Sequence, residues 1–196
     1  KEATGLGLAT PPGLSGFAGG RPRPTPVARL FSFAIPKKAV SIAVDVDGKT
    51  TAFADMDGKR FDPSSLARPD VPKAEDTSEM VSIPLVALAW ARSGDKGDKA
   101  NVGVIARQPE YLPYICRSLT EDVVTERFAH FLKGKVERFI MPGPHAINFL
   151  LHDVLGGGGV ASLRNDPQGK GYSQLLLEVP IEVPAALARR DKLAAA

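Results

Sequence analysis

Four consecutive glycines, Gly156 to Gly159, interrupt the chain where neither a helix nor a strand gains from continuing, and the residues on either side are arranged around that break. The stretch from Pro142 to Gln174 reads PGPHAINFLLHDVLGGGGVASLRNDPQGKGYSQ. Pro142-Gly143 marks a turn, Pro144 suits a first helical position, and glycine directly after Leu155 suits a helix end. The spacing therefore predicts a short helix over 144–155. On its wheel Ala146, Ile147, Leu150, Leu151, Val154 and Leu155 fill one side, while His145, Asn148, His152 and Asp153 gather on the other with Phe149 among them. A solvated face is one reading of that second side. Solvated faces are mostly Lys and Glu, however, whereas His, Asn and Asp are poor helix formers, so the mixture makes it a candidate site. After the glycines, Val160 to Leu163 reads as a short strand, followed by Arg164-Asn165-Asp166 and a turn.

Composition narrows the function classes. At 196 residues the chain can bury one good core or two small ones, and 43% hydrophobic with 24% charged residues is the balance of a soluble globular protein. A formal charge of +3 is only mildly basic, and no Lys/Arg block interleaved with aromatics marks a nucleic-acid surface. Cys116 stands alone, which rules out a disulfide framework within the chain and points to a reducing, cytoplasmic setting. No apolar run approaches the roughly 18 residues of a membrane span, and no signal peptide is visible. The start at Lys1 rather than Met suggests a fragment or processed form, and Lys192 to Ala196 resembles translated cloning sites.

Along the chain, 1–26 is a Gly/Pro-rich segment in which Gly13-Leu14-Ser15-Gly16 lacks the strand that a nucleophile elbow needs. Residues 27–56 form a β-rich segment. Val27 to Ile35 reads as a strand, Val40, Ile42, Val44 and Val46 alternate as a half-buried strand should, and Asp47-Gly48 is a hairpin turn before Thr50 to Phe53. Three strands cannot bury both faces, so this piece looks like the remnant of a larger preceding domain. Residues 57–80 read as a linker with a turn near Ser64 to Ala67. The unit at 81–184 opens with Ile83 to Ala91, apolar on both faces like a central strand. Arg92 to Ala100 reads as a loop too long for a tight hairpin, and Asn101 to Arg107 as the next strand. Helices at Glu110 to Arg117 and Glu121 to Lys133 follow, the second with Val124, Phe128, Phe131 and Leu132 turned inward, then a strand at Val136 to Met141. A last strand runs from Tyr172 to about Val183, and 185–196 is left as a tail. The expected fold class is α+β, a sandwich of a mixed sheet with helices on one face, preceded by a small β-rich segment.

Three motifs, in this order, carry a resemblance. Trp90 to Gly103 (WARSGDKGDKANVG), Pro142-Gly143 with His145-Ala146 and Asn148-Phe149, and Leu155 to Gly159 with Ala161 to Arg164 together resemble the AtuA-like domain family over about 81–184. Residues 21–62 resemble the tail of the acyclic-terpene-utilisation domain that precedes it. The resemblance implies a ferredoxin-like α+β fold and an association with bacterial breakdown of terpenoid acids as acyl-CoA derivatives. It implies no settled reaction, and the extra strands depart from a plain βαββαβ order.

The residues themselves limit the chemistry. On a helix His145 and His152 would be about 10.5 Å apart along the axis, too far to share one ion, and no thiolate cluster exists; no metal or cofactor is expected. Anion binding fits better, because the glycines of the Ser93 to Asn101 loop expose backbone donors and Arg92 and Arg164 can pair with a carboxylate or phosphate. A solvated loop whose lysines pair with its aspartates is the plainer alternative. The candidate ligand-binding set is Arg92, Ser93, Asp95, Lys96, Asp98, Lys99, Asn101, Asn148 and Arg164, with His145 and His152 as candidate catalytic proton-transfer groups. Whether the chain is an enzyme stays open. Two functions are consistent with this set. The chain is the AtuA-like portion of a catabolic protein for acyclic terpenoid or branched acids that binds an acyl-CoA or carboxylate. Alternatively, it is a docking or oligomerisation module, partnered by a second copy or by a neighbouring domain.

Overall fold

The structure, a computed structural model, describes residues 26, 28, 31, 33–75, 77 and 79–193. Residues 1–25, Ser15 among them, lie outside that set. After a 3-10 turn at Lys37–Ala39, the first strands are β1 (Ala43–Val46) and β2 (Lys49–Ala52), paired antiparallel with Val44 opposite Thr51. Asp47 and Gly48 both adopt positive φ, 53° and 77°, as the Asp-Gly dipeptide predicts for a two-residue turn. The expected half-burial of this hairpin is absent, since every residue of both strands is exposed. None of the described residues of the anticipated 27–35 strand is in a strand. From Phe53 to Glu79 the only regular element among the described residues is a 3-10 turn at Pro63–Ser65, capped by the Asp62 carboxylate.

The packed unit contains β3 (Met80–Pro84), a single helical turn α1 (Leu85–Leu88), β4 (Ala89–Lys96), β5 (Lys99–Ala106), α2 (Leu112–Ser118), α3 (Glu121–Arg127), β6 (Val136–Met141), β7 (Ala146–Leu151), α4 (Tyr172–Leu177), β8 (Pro180–Pro184) and α5 (Ala185–Arg190). Four strands make one antiparallel sheet in the order β4-β5-β7-β6, and β3 pairs with β8 in a second, two-stranded sheet. The larger sheet turns Ala89, Ala100, Val102, Val104, Ile147, Phe149 and Leu151 inward against Ile115, Leu119, Val124, Phe128, Tyr172 and Leu176 from the helical layer. Ile83, Ile181 and Val183 of the smaller sheet close the same core. This is the α+β sandwich with helices on one sheet face.

Several elements differ from the sequence expectations. The anticipated helix over 144–155 is strand β7, entered through a turn at Pro142 to His145 in which His145 has φ of 51°. Ile147, Phe149 and Leu151 satisfy a period of two as well as the helical wheel satisfies 3.6, and pairing on both sides with β5 and β6 decides between them. Arg92 to Ala100 is not a loop: β4 and β5 run through it and meet at a tight Gly97-Asp98 turn. The apolar run Ile83 to Ala91 is split by α1 between two sheets. Val160 to Leu163 is not a strand but turns back on Gly158, and the side chains of Val160 and Leu163 are 70% and 91% exposed. The anticipated strand from Tyr172 is α4 followed by β8, with the change of direction just before Pro180. Beyond Pro184 the chain continues into α5, which buries Ala185, Leu187 and Ala188.

Candidate functional site

Directly opposed residues of antiparallel strands share a face, so the sheet registers sort the candidate residues into two groups. Ser93 and Asp95 of β4 lie on the side of Ala89 and Ala91, toward the helices, whereas Arg92 and Lys96 point outward. Lys96 is opposite Lys99, Gly94 opposite Asn101, Asn101 opposite Leu150, and Arg92 opposite Gly103, which faces Asn148. Arg92, Lys96, Lys99, Asn101 and Asn148 are therefore neighbours on the outer face.

The inward group fastens the long connection between β7 and α4. Asp98 Oδ1 accepts the backbone N–H groups of Leu155 (3.1 Å), Gly157 (2.8 Å) and Gly158 (3.2 Å). Gly158 has φ of 88° and packs so tightly that a Cβ there would lie 3.2 Å from the Gly97 carbonyl. Ser93 is 8% exposed; its hydroxyl donates to the Lys170 carbonyl (3.0 Å) and accepts from Ser173 N (2.9 Å), tying β4 to the start of α4. Asp166 closes the next turn by accepting from Lys170 N and Gly171 N. The half-buried Arg164 donates to the carbonyls of Val154 and Phe131, the latter at 3.0 Å, and its guanidinium lies 5.0 Å from the centre of the Phe131 ring. Tyr172 donates to the same Val154 carbonyl, and burial raises its hydroxyl pKa, with Arg164 pulling the other way. Ser93, Asp98 and Arg164 thus have their polar groups occupied by backbone. Asp95 differs: its side chain makes no ion pair or hydrogen bond with any described residue, and it lines a cleft of about 590 Å³ with Gly97, the glycine run, Asp166 and Gln168.

The outer face is arranged in rows along the strands. Lys96 and Lys99 stand at the hairpin end; Gly94, Asn101, Leu150 and Glu137 follow; then Arg92, Gly103, Asn148 and Phe139, whose ring carries the Arg68 guanidinium 5.5 Å from its centre; then Trp90, Ile105, Ala146 and Met141. Asn101 Nδ2 donates to Asn148 Oδ1 across the rows at 3.3 Å. Arg92, Lys96 and Lys99 are exposed and make no ion pair with any described residue. Lys170, absent from the sequence-derived set, joins them, because its Nζ lies 3.0 Å from where a Cβ on Gly94 would stand. Sequence separation of 76 positions hides that contact; only the latch from Ser93 to the Lys170 backbone brings it about.

The two histidines are not brought together. They flank opposite ends of β7, roughly 23 Å apart at about 3.3 Å per residue. His152 Nε2 lies 2.6 Å from Glu137 Oε2, and Lys135 is 3.0 Å from the other carboxylate oxygen. Lys135 first, then His152, holds the Glu137 carboxyl below its usual range. Gly134 packs on His152, leaving 2.7 Å between the place of a Cβ and the histidine backbone. Burial pushes the Cys116 thiol up to about 11, which removes it as a nucleophile near neutral pH. Among the described residues no group of three or more His, Cys, Asp or Glu side chains could hold a metal ion, and no helix is long and apolar enough to cross a membrane.

A family model described as the AtuA ferredoxin-like domain matches residues 83–182. No curated protein and no solved structure matches the chain.

Proposed function

The chain belongs to the AtuA ferredoxin-like domain family, and on that premise we propose that it is the ligand-binding portion of a cytoplasmic catabolic protein for acyclic terpenoid or branched acids. The ligand is a carboxylate or acyl-CoA whose anionic group sits on the outer face of the β4-β5-β7-β6 sheet. One observation carries this reading: four cations, Arg92, Lys96, Lys99 and Lys170, lie on the β4-β5 half of that face and make no ion pair with any described residue, while Glu137, the carboxylate on the same face, is held by Lys135 and His152. Bringing like charges together is unfavourable, and a bound anion relieves it. Gly94 and Gly103 leave the sheet low between them, and Asn101 and Asn148 supply amides for a carbonyl or thioester oxygen. Asp98, Asp166, Ser93 and Arg164 act one step back by holding the connection that delivers Lys170. With His145 and His152 at opposite strand ends, the arrangement supports binding rather than proton transfer.

Isothermal titration of the 196-residue chain with free branched acids, phosphate and acyl-CoAs tests this, beside Arg92→Ala, Lys96→Ala and a Lys73→Ala control. Saturable binding weakened about tenfold by each of the first two variants is expected, since a charge-assisted hydrogen bond contributes about 1.5–3 kcal/mol. Phosphate binding as tightly as the acids would assign the face to the phosphate part of a CoA. The exposed Trp90, Ile105 and Met141 favour a second reading, a docking module, which silence across the panel with a concentration-dependent mass would select.

A further inference from the structure

The inner side of the β4–β5 hairpin forms one wall of the cleft of about 590 Å³, a size that suits a small molecule. The opposite wall is the segment from Gly157 to Gln168. It stays against the hairpin because Asp98 holds its amides and Gly158 packs on the Gly97 backbone. Three carboxylates line the space, from Asp95, Asp98 and Asp166, and no Lys or Arg side chain does. Two of the three are already engaged, Asp98 by the N–H groups of Leu155, Gly157 and Gly158, and Asp166 by those of Lys170 and Gly171. Asp95 accepts nothing from any described residue. Its Oδ2 lies 3.8 Å from the place that a Cβ on Gly159 would take, and the Pro167 carbonyl oxygen lies 3.9 Å from the same point. That carbonyl, too, accepts no hydrogen bond from a described residue. Two acceptors without donors therefore flank one spot, which is accessible only because residue 159 is glycine.

We propose that this cleft binds a small organic cation through a nitrogen group with two or more N–H donors, a primary ammonium or a guanidinium, seated at Gly159 between Asp95 Oδ2 and the Pro167 carbonyl. A hydrogen-bond donor is what the carboxylate and the carbonyl both lack, and a positive one is favoured because no lining side chain offsets the charge of Asp95. A neutral hydroxyl brings a single hydrogen and no charge. A bare metal ion fits less well. No three His, Cys, Asp or Glu side chains among the described residues are placed to hold one, and an ion would fill little of the volume. Gln168 and Val160, both exposed lining residues, offer an amide and an apolar side chain to the rest of the ligand. The site is separate from the outer-face cations and does not rest on the anion-binding reading. Lys170, whose backbone closes the Asp166 turn, sends its ammonium to Gly94 on the other side of β4.

Titration of the full chain with butylamine, butane-1,4-diamine and butylguanidinium tests this. Butan-1-ol is the uncharged reference, tetramethylammonium the cation without N–H, and magnesium and calcium chloride the metal arm. The backbone amide resonances of Gly157, Gly158 and Gly159 report where binding occurs. Two variants alter the seat without touching the bonds that hold the connection. Asp95→Asn keeps the shape and removes the charge, and Gly159→Ala places a methyl at the seat with only ordinary van der Waals contacts around it. Each should lower amine and guanidinium affinity about tenfold, the loss of a charge-assisted hydrogen bond, while the urea midpoint stays that of wild type. Lys96→Ala, on the outer face, should leave amine binding unchanged. Tetramethylammonium binding as tightly as butylamine would overturn the seat and leave a diffuse attraction to acidic surface. Butan-1-ol binding as tightly would overturn the need for a cation. Magnesium or calcium binding that is lost in Asp95→Asn and excludes the amines would make the cleft a metal site instead. Wild-type amine affinity in both variants, or no binding of any amine, would overturn the proposal outright.

Discussion

Two hairpins in this chain are closed by the same chemistry and end in opposite situations. β1–β2 turns through Asp47-Gly48 and β4–β5 through Gly97-Asp98, each an aspartate beside a glycine at positive φ. In the first, Asp45 accepts from Gly48 N at 3.1 Å and from the Thr50 hydroxyl at 2.7 Å, and all eight strand residues remain exposed. In the second, Asp98 looks away from its own hairpin and holds three N–H groups of a segment nearly sixty residues later. Turn residues specify a reversal, while what lies behind the hairpin decides whether it contributes to a core. A two-stranded ribbon without cover is marginal in water, and the apolar strip of Ile42, Val44, Val46 and Phe53 is left in contact with solvent.

The sharpest way to break the comparison is to remove both aspartates in turn. Asp98→Ala leaves three backbone donors without their acceptor and should cost about 3 kcal/mol of unfolding free energy, since unsatisfied groups cost about 1–3 kcal/mol each and water reaches some of them. Asp45→Ala removes two exposed bonds and should cost no more than about 0.5 kcal/mol, because surface changes rarely exceed that. Urea unfolding of the two variants against wild type measures both. Equal losses would mean that the two hairpins are integrated to the same degree.

A smaller effect separates the glycines. Gly158 and Gly48 both have positive φ, so alanine is strained at either, by about 1 kcal/mol. At Gly48 nothing lies within 4 Å of the added methyl, whereas at Gly158 the Gly97 backbone is 3.2 Å away and cannot rotate aside. Gly158→Ala should therefore lose about 2 kcal/mol to the 1 of Gly48→Ala, the excess being the overpacking cost. It should also weaken anion binding by loosening the connection that carries Lys170. Thermal unfolding and titration with a free branched acid together would show whether the two losses travel together.

The same contrast explains what could be read before the fold was known. Local signals held in part: the Asp47-Gly48 turn and β6 are where turn chemistry and periodicity put them, α2 follows a 3-10 turn at Pro109–Tyr111, and α3 starts at Glu121 as expected but ends at Arg127 rather than Lys133. Resemblance in three separated motifs pointed to the family that the match over 83–182 establishes. The failures come from long-range pairing. Ile147 to Leu151 suits a wheel and a pleat alike, and the choice was made by β5 and β6, far away in sequence. That error moved His145 and His152 from one helix face to opposite ends of a strand. Asp98 and Arg164 were recognisable as unusual, but spacing could not tell a group that holds a ligand from one that holds backbone. Asn101 and Asn148 lie in separate motifs and are hydrogen-bonded to each other, a pairing that spacing alone does not show.

The smallest expected difference concerns acid. Asp191, beside α5, accepts from Arg190 and from the Tyr111 hydroxyl at 2.7 Å, and these two, Arg190 foremost, lower its pKa from 3.8 to about 2. Asp55, beyond β2, is also lowered, chiefly by a 2.7 Å bond from Lys37, but that lysine is mostly exposed. A depressed folded-state pKa gives stability that is complete above the unfolded value and is lost as pH falls through the folded one. For Asp191 the window runs from about 4 down to about 2. Tyr111 is itself buried in the core, so its bond to Asp191 is held by packing, whereas the Lys37–Asp55 pair is held only by its own attraction. Raising the salt should therefore return the Asp55 titration toward its ordinary value and leave that of Asp191 largely in place, because exposed pairs are screened and anchored ones are not. Carboxyl chemical shifts followed from pH 6 to 2 at low and high salt would show it. If both carboxylates respond alike, α5 is no more firmly seated on the core than the hairpin segment is on its surroundings, and the contrast between the two regions ends at the sheet.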